Sequence, residues 1–355
     1  MSYPKMTINL KTIRDNVRAV SGLCNDKGIK VAGVTKVFGG NPAIAKAYIE
    51  GGISYLADSR IENLIRLKDL NIPKIMLRLP MKSEVDKIVD YADISLNSEL
   101  DTITSLSEKA LEKNKIHKII LMVDLGDLRE GYYDEKALFE DVEKIIELKG
   151  VKLIGLGTNL TCYGGVIPNK HILDRLAKLE ENIEKKYNIE LEILSGGNSS
   201  TIHLLLKDTK IDKINNLRLG ESLVLGTEFA YGEQIEGTKN DAFKLQAEII
   251  EIKEKPSVPT GEIGKDAFGN IPTFIDRGIR KRILCAVGKQ DVDFETLHPL
   301  DEDIIILGGS SDHLILDGSD SKIDYKVGDI IEFRMSYVSI LRAMTSRYVE
   351  KEIIE

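Results

Sequence analysis

Short β-rich runs alternate with longer helical patterns eight times in about 220 residues, and this repetition leaves few architectures open. The runs are residues 31–36, 53–57, 74–79, 94–97, 118–123, 151–156, 191–194 and 216–219. A helical pattern over 11–27 precedes them, and amphipathic stretches lie between them, such as 135–148, where Leu138, Val142, Ile145 and Ile146 recur at helical spacing. Parallel strands need both faces covered and right-handed crossovers, so the expected fold is α/β, a closed (β/α)8 TIM barrel. An open doubly wound sheet is the alternative. No Gly-x-Gly-x-x-Gly follows the first run, which lowers the odds of a dinucleotide fold.

The chain has 355 residues, more than the roughly 250 a barrel takes. From about Asp241 long helical periods give way to β-rich runs and turn signals, as at 255–261. The expected division is an N-terminal strand, 1–10, joining a β domain; a barrel, 11–235; and a mostly β domain, 240–355. Within that domain 307–313 and 326–330 read as turns, and 337–347 is ambiguous between strand and helix. Hydrophobic residues at 42% and charged ones at 30% suit a packed globular chain. A net charge of −8 with dispersed Lys and Arg argues against a nucleic-acid partner. The sequence contains neither an apolar leader nor a run long enough to span a membrane, so a cytoplasmic protein is expected. Cys24, Cys162 and Cys285 lack pair spacing and are expected to be reduced and structural. The scattered histidines, including His203, His298 and His313, give no metal-ligand cluster.

Barrel chemistry sits at the carboxyl ends of the strands. Those ends offer Lys36, Asp58-Ser59-Arg60, Asn97-Ser98, Asp124 with Arg129, Thr158-Asn159, the stretch 195–200, and Arg218-Leu219-Gly220. A lysine leaving an apolar strand is either partly desolvated and nucleophilic, as Schiff-base chemistry requires, or simply solvated. The Gly- and Ser-rich segments after the seventh and eighth runs are placed where barrels build phosphate sites, with Ser199 adding a hydroxyl. Together with Lys36 they suggest a phosphorylated aldehyde cofactor across the barrel mouth. Arg218 would either face the cofactor ring nitrogen and keep it unprotonated, or pair with a carboxylate such as Glu221.

With these residues assembled, nearly the whole chain resembles the alanine racemase family of fold-type III pyridoxal 5'-phosphate enzymes, and within it an ornithine racemase-like branch. Val34-Thr35-Lys36 is similar to the family's cofactor-lysine motif, 218–226 to its arginine-to-glycine segment, and Asn198-Ser199 to its phosphate-binding pair. Gly220, Glu221 and Tyr337 are thereby implied near the cofactor. The stretch 123–131 matches the one whose arginine, here Arg129, helps hold the substrate carboxylate. Ser311-Asp312 falls where the family has a Met-Asp pair lining the substrate entrance from a partner subunit. The resemblance also implies a homodimer with shared active sites.

Departures from an alanine racemase are specific. Lys289 in Gly288-Lys289-Gln290-Asp291 takes the place of the second-base tyrosine; Met122 replaces the modified lysine and Asn159 the histidine near the ring, and the tyrosine after the cofactor lysine is lost in Phe38-Gly39-Gly40. Segments 259–269, 288–292 and 310–317 fit the ornithine-like branch better. A cationic substrate would then find a carboxylate in Asp312 or Asp291. The expected reaction is two-base racemisation, with Lys36 on one face of Cα and Lys289, or failing it His313 or Tyr337, on the other. Alanine, lysine and serine remain alternative substrates. A decarboxylase of the same barrel type is disfavoured by Arg218, and a non-catalytic cofactor-binding protein by the β domain.

Overall fold

The structure, a computed structural model, describes residues 2–266 and 268–355. After β1 (Lys5–Asn9) and α1 (Leu10–Asn25), strands and helices alternate: β2 (Lys30–Val34), α2 (Pro42–Glu50), β3 (Tyr55–Asp58), α3 (Ile61–Arg66), β4 (Lys74–Met76), α4 (Val85–Tyr91), β5 (Ile94–Asn97) and α5 (Leu100–Glu112). They continue as β6 (His117–Met122), α6 (Glu135–Ile145), β7 (Val151–Gly157), α7 (Lys170–Tyr187), β8 (Ile193–Ser195), α8 (Ile202–Leu206), β9 (Asn216–Leu219) and α9 (Glu221–Leu225). β2 to β9 form a closed parallel barrel, in which β9 returns to pair with β2 and sets Arg218 opposite Ala32.

Each expected run coincides with one of these strands, and the α/β barrel class holds. Local hydrogen bonds correct some ends. The first strand stops at Val34 because Thr35 turns to helical dihedrals and its carbonyl accepts from Phe38 and Gly40 N–H. The third stops at Met76 instead of residue 79. Helix starts carry readable caps: Asn41 accepts from the N–H of Ala43 and Ile44 ahead of Pro42, and Asn169 caps α7 through Ile172 N–H.

The barrel interior is filled by Ala32, Val34, Ala57, Ile75, Ile94, Leu96, Ile120, Met122, Ile154 and Ile193. Burying each large aliphatic contributes about 1.5–3 kcal/mol. A bulge between Ile119 and Ile120 re-registers β6 against β7. The neighbouring Gly155 lies so close to β8 that a Cβ would stand 2.1 Å from the Ile193 carbonyl oxygen.

The described residues up to Leu10 and from Asn240 onward form a second unit, distinct from residues 11–239. It contains β10 (Phe243–Pro256), β11 (Ile279–Cys285), β12 (Leu297–Pro299), β13 (Ile305–Gly309), β14 (Leu314–Asp317), β15 (Ile330–Met335), α10 (Tyr337–Thr345) and β16 (Glu350–Ile354). The sheet runs β12-β15-β10-β11-β14-β13, while β1 pairs antiparallel with β10 and parallel with β16. Phe243, Leu245, Ala247 and Ile249 alternate inward along β10, as a strand with one covered face requires. Two expectations change here. Residues 307–309 belong to β13 instead of a turn. Residues 337–345 are helical, with Ser339 of α10 donating to the Asp293 carbonyl at 2.8 Å and bonding Thr296 at 2.7 Å. Among the described residues no helix is long and apolar enough to cross a membrane.

Candidate active site

Lys36 opens a single 3-10 turn directly after β2 and is half-buried. Gly39 and Gly40 follow with left-handed φ of 59° and 63°, and a Cβ on Gly40 would meet Asn63 at 2.8 Å, so the loop needs glycine there. Asp58, fully buried at the end of β3, accepts from Thr35 Oγ1 at 2.5 Å, from Arg60 N–H at 2.8 Å and from Asn63 Nδ2 at 3.1 Å. Burial raises its carboxyl pKa, while these bonds and the charge of Lys36 pull it down. Through Thr35, Asp58 fixes the residue from which the lysine turn starts.

Arg218 is buried in β9 and donates to Ser195 Oγ at 2.5 Å and to the Thr158 carbonyl at 2.7 Å. It reaches past β8 to the end of β7, and not to Glu221, the carboxylate suggested from sequence. Burial pushes it down to about 10, opposed by the Glu130 charge, so the guanidinium stays cationic at neutral pH. Glu221, the first residue of α9, is pushed up to about 7 by burial and by the charge of Glu228.

The segments after β8 and β9 meet. Ser199 Oγ and Ser222 Oγ lie 3.1 Å apart, and Ser222 N–H donates to Ser199 Oγ at 3.2 Å. Arg218 N–H donates to the Gly197 carbonyl at 2.9 Å, and Gly197 holds a φ of 112°. Gly220 caps α9, its carbonyl accepting from Leu223 and Val224 N–H. The Asn198 amide donates to Asn159 Oδ1 at 3.1 Å, the Leu160 carbonyl at 2.8 Å and Cys162 Sγ at 3.4 Å, while its oxygen accepts from Ser200 N–H. Among the described residues, five buried polar atoms at or beyond the strand ends have no hydrogen-bond partner: Arg78 Nε, Asn97 Oδ1, Thr158 Oγ1, Asn159 Nδ2 and Ser200 Oγ. Buried polar groups are ordinarily satisfied, and these five are the atoms that a polar ligand at this end of the barrel would find without a partner.

Arg129 sits in the β6–α6 loop and forms a two-bond ion pair with Glu130. The loop is fixed at its root: Asp124 accepts from Gly126 and Leu128 N–H, and Gly131, at φ 117°, would place a Cβ 2.7 Å from Asp124 N. Asp127, which sequence reasoning did not single out, accepts from Thr161, Tyr163 and Val166 N–H and ties this loop to the one after β7. Cys162, in that second loop, is exposed, unlike buried Cys24 and Cys285, and all three are free thiols.

The other proposed residues lie in the second unit. Lys289 places its ammonium 4.3 Å from the centre of the Phe268 ring and 6.0 Å from that of Phe294. Its N–H donates to the Ser310 carbonyl, and Gln290 N–H to that of Ser311, which brings Lys289, Ser311 and Asp312 together. Asp312 accepts from Ser310 Oγ at 2.8 Å and lies 3.0 Å from His313 Nδ1; bonds from Ser310 and His313 hold its carboxyl below the usual range. Asp291 is buried and bonded to Ser346 Oγ at 2.7 Å, so it is committed to the fold and does not offer the free carboxylate expected of it. Tyr337 is the first residue of α10.

A recess of about 620 Å³ opens at the other end of the barrel, lined by Tyr55, Lys74, His117 and Glu192. These residues stand at strand starts, and the Lys74 ammonium is held by the Leu70 and Ile72 carbonyls. That end of a barrel serves stability instead of chemistry. Among the described residues no cluster of three or more His, Cys, Asp or Glu could hold a metal ion.

Comparison with known proteins places this arrangement. Residues 8–228 match the family model for the alanine racemase N-terminal domain. An ornithine racemase of Acetoanaerobium sticklandii is 51% identical over 352 residues, 99% of this chain and 100% of that one. A lysine racemase of Thermotoga maritima is 43% identical over 353 residues, 99% and 98% of the two chains. Among solved structures, an alanine racemase of Bartonella henselae with covalently bound pyridoxal phosphate superposes with a TM-score of 0.75 at 17% identity, covering 100% of both chains. The chain belongs to the alanine racemase family.

Proposed function

We propose that this protein is a pyridoxal 5'-phosphate-dependent amino-acid racemase acting on ornithine, with lysine as the next substrate. The observation that carries the reading is kinship along practically the whole chain with an ornithine racemase. Kinship with a lysine racemase supports the same substrate class, an α-amino acid with a second, distal ammonium.

The residues at the barrel mouth suit the cofactor. Orphaned Asn159 Nδ2 and Ser200 Oγ are donors for an anionic group, Arg218 supplies a fixed cation whose bonds go to a hydroxyl and a carbonyl, and Lys36 supplies an amine. When bound, pyridoxal phosphate provides an aldehyde that takes up amines and a ring that accepts the electron pair left when a Cα–H bond breaks. In this reading Asn198, Ser199, Gly220, Glu221 and Tyr337 border the phosphate. Ser195 and Thr158 hold Arg218 in place; its permanent charge keeps a proton off the group it faces. Arg129 binds the substrate carboxylate, with Asn159, Ser311 and Asp312 as further substrate contacts.

The proton work falls to two amines. Lys36 Nζ holds or releases the Cα proton on one face, and Lys289 Nζ does so on the other. One proton leaves Cα to one amine and one arrives from the other, so substrate and product are isomers and solvent resets the two bases. The same reading carries a cytoplasmic homodimer, which light scattering after gel filtration measures.

The test is a circular dichroism racemisation assay of cofactor-loaded protein with ornithine, lysine, alanine and serine, with Lys36→Ala as control. The expected result is loss of optical activity with ornithine, abolished in the control. Cofactor-loaded protein that racemises none of the four overturns the reading.

A further inference from the structure

Arg129 has a partner already, and this changes what a substrate must bring. The guanidinium bonds Glu130 through both Nε and Nη2. The acid is the more enclosed of the pair, with its side chain 15% exposed against 42% for Arg129. Glu130 and Arg129 both stand within electrostatic reach of Arg218 in β9. The loop cannot easily carry the pair away: Gly131 packs against the backbone of Met122, Val123 and Asp124, and Tyr132 N–H donates to the Met122 carbonyl at 2.9 Å.

A substrate carboxylate that takes Arg129 must displace Glu130. An amino acid with a neutral side chain brings one anion and leaves Glu130 largely enclosed without its bonded cation, which is costly. A diamino acid brings an anion and a second cation, and the single internal pair becomes two pairs. We propose that Glu130 is a specificity-determining residue that passes from Arg129 to the distal ammonium of the substrate, so that the site admits diamino acids and penalises neutral ones. The inference rests on the racemase reading above and on Arg129 as the carboxylate-binding group. It locates the distal-amine acceptor in the barrel, in place of Asp291 and ahead of Asp312.

Ornithine and norvaline have the same carbon chain and differ by the distal amine alone, which makes them the probes. Steady-state kinetics and equilibrium titration of the cofactor-loaded protein are to be compared for the native chain, Glu130→Gln and Asp312→Asn. The amide oxygen introduced by Glu130→Gln can still accept a bond from Arg129, and thermal melting verifies that the variant is folded. In Glu130→Gln the ornithine-to-norvaline ratio of kcat/KM is expected to fall by about 10- to 100-fold, mostly through KM, with ornithine binding weakened and norvaline binding strengthened. Asp312→Asn, at a substrate contact shared by both amino acids, is expected to lower the two kcat/KM values alike and so leave their ratio in place. A native protein that racemises ornithine while Glu130→Gln keeps the ratio, or one in which only Asp312→Asn collapses it, overturns this inference alone. A native protein that racemises nothing and binds neither amino acid removes the racemase reading, and the inference with it.

Discussion

Three backbone N–H groups of one loop converge on a single buried carboxylate of another, that of Asp127. Asp127→Ala leaves the amides of Thr161, Tyr163 and Val166 to water. It should cost on the order of 2 kcal/mol and speed hydrogen exchange at those three amides, whereas unchanged exchange would mean that the loops hold without the staple. Such residues divide the site by how far apart their partners are. Lys36, Asn198, Ser199 and Arg218 were readable because each follows or ends a β-rich run, a local pattern. Asp127 was not, because its partners lie 34 to 39 positions away and an aspartate in a loop looks the same whether bonded or solvated. The Ser199–Ser222 bond and the Asp58–Thr35 bond are unreadable for the same reason, since the pairing of neighbouring strands brings them together. Arg218 looked ready to pair with Glu221, three residues on, yet bonds Ser195 and Thr158, because a strand residue meets its lateral neighbours before its successors.

Among the elements, α7 carries an electrostatic liability. Glu180 lies on its buried face, and burial, reinforced by the charge of Glu184, pushes its carboxyl up to about 7 from an ordinary 4.5. A carboxyl raised on folding binds more protons in the native state than in the unfolded chain between these two values, so stability falls as pH rises through that window and stays low above it. Glu180→Gln should flatten this slope and raise stability at pH 8 by on the order of 1–3 kcal/mol, read from urea unfolding at pH 5 and pH 8. An equal gain at both pH values would exclude titration as the cause. The strands of the barrel were legible as elements because hydrophobic runs of near-constant spacing have few other solutions. Their ends were less so: Thr35 suits a strand in composition, and only the hydrogen bonds to its carbonyl stop the run. The segment 337–345 was undecidable because Ile340 and Ala343 suit a strand or a helix face equally, and the choice is made by Ser339 anchoring to Asp293 and Thr296.

Across the whole molecule, the chain returns at its end to where it began. β1 lies between β10 and β16, and its Met6 and Ile8 are fully buried. Deleting residues 2–9 from the full-length chain strips a lateral partner from both strands. Limited proteolysis should then cut selectively within 240–355 while a fragment covering 11–239 survives; even digestion of both regions, or of neither, would contradict the division of the chain into these units. The same strand sets a schedule for synthesis. Thr7 bonds the backbone of Lys244, 237 positions later, and at 5–20 residues per second a ribosome needs about 10–50 s to make that interval. All eight barrel strands emerge within it, so the barrel can close while the first strand still waits, its apolar side chains uncovered. β1 is thus made before the barrel and housed after it, and a nascent chain depends on its staying unpaired until β10 and β16 arrive.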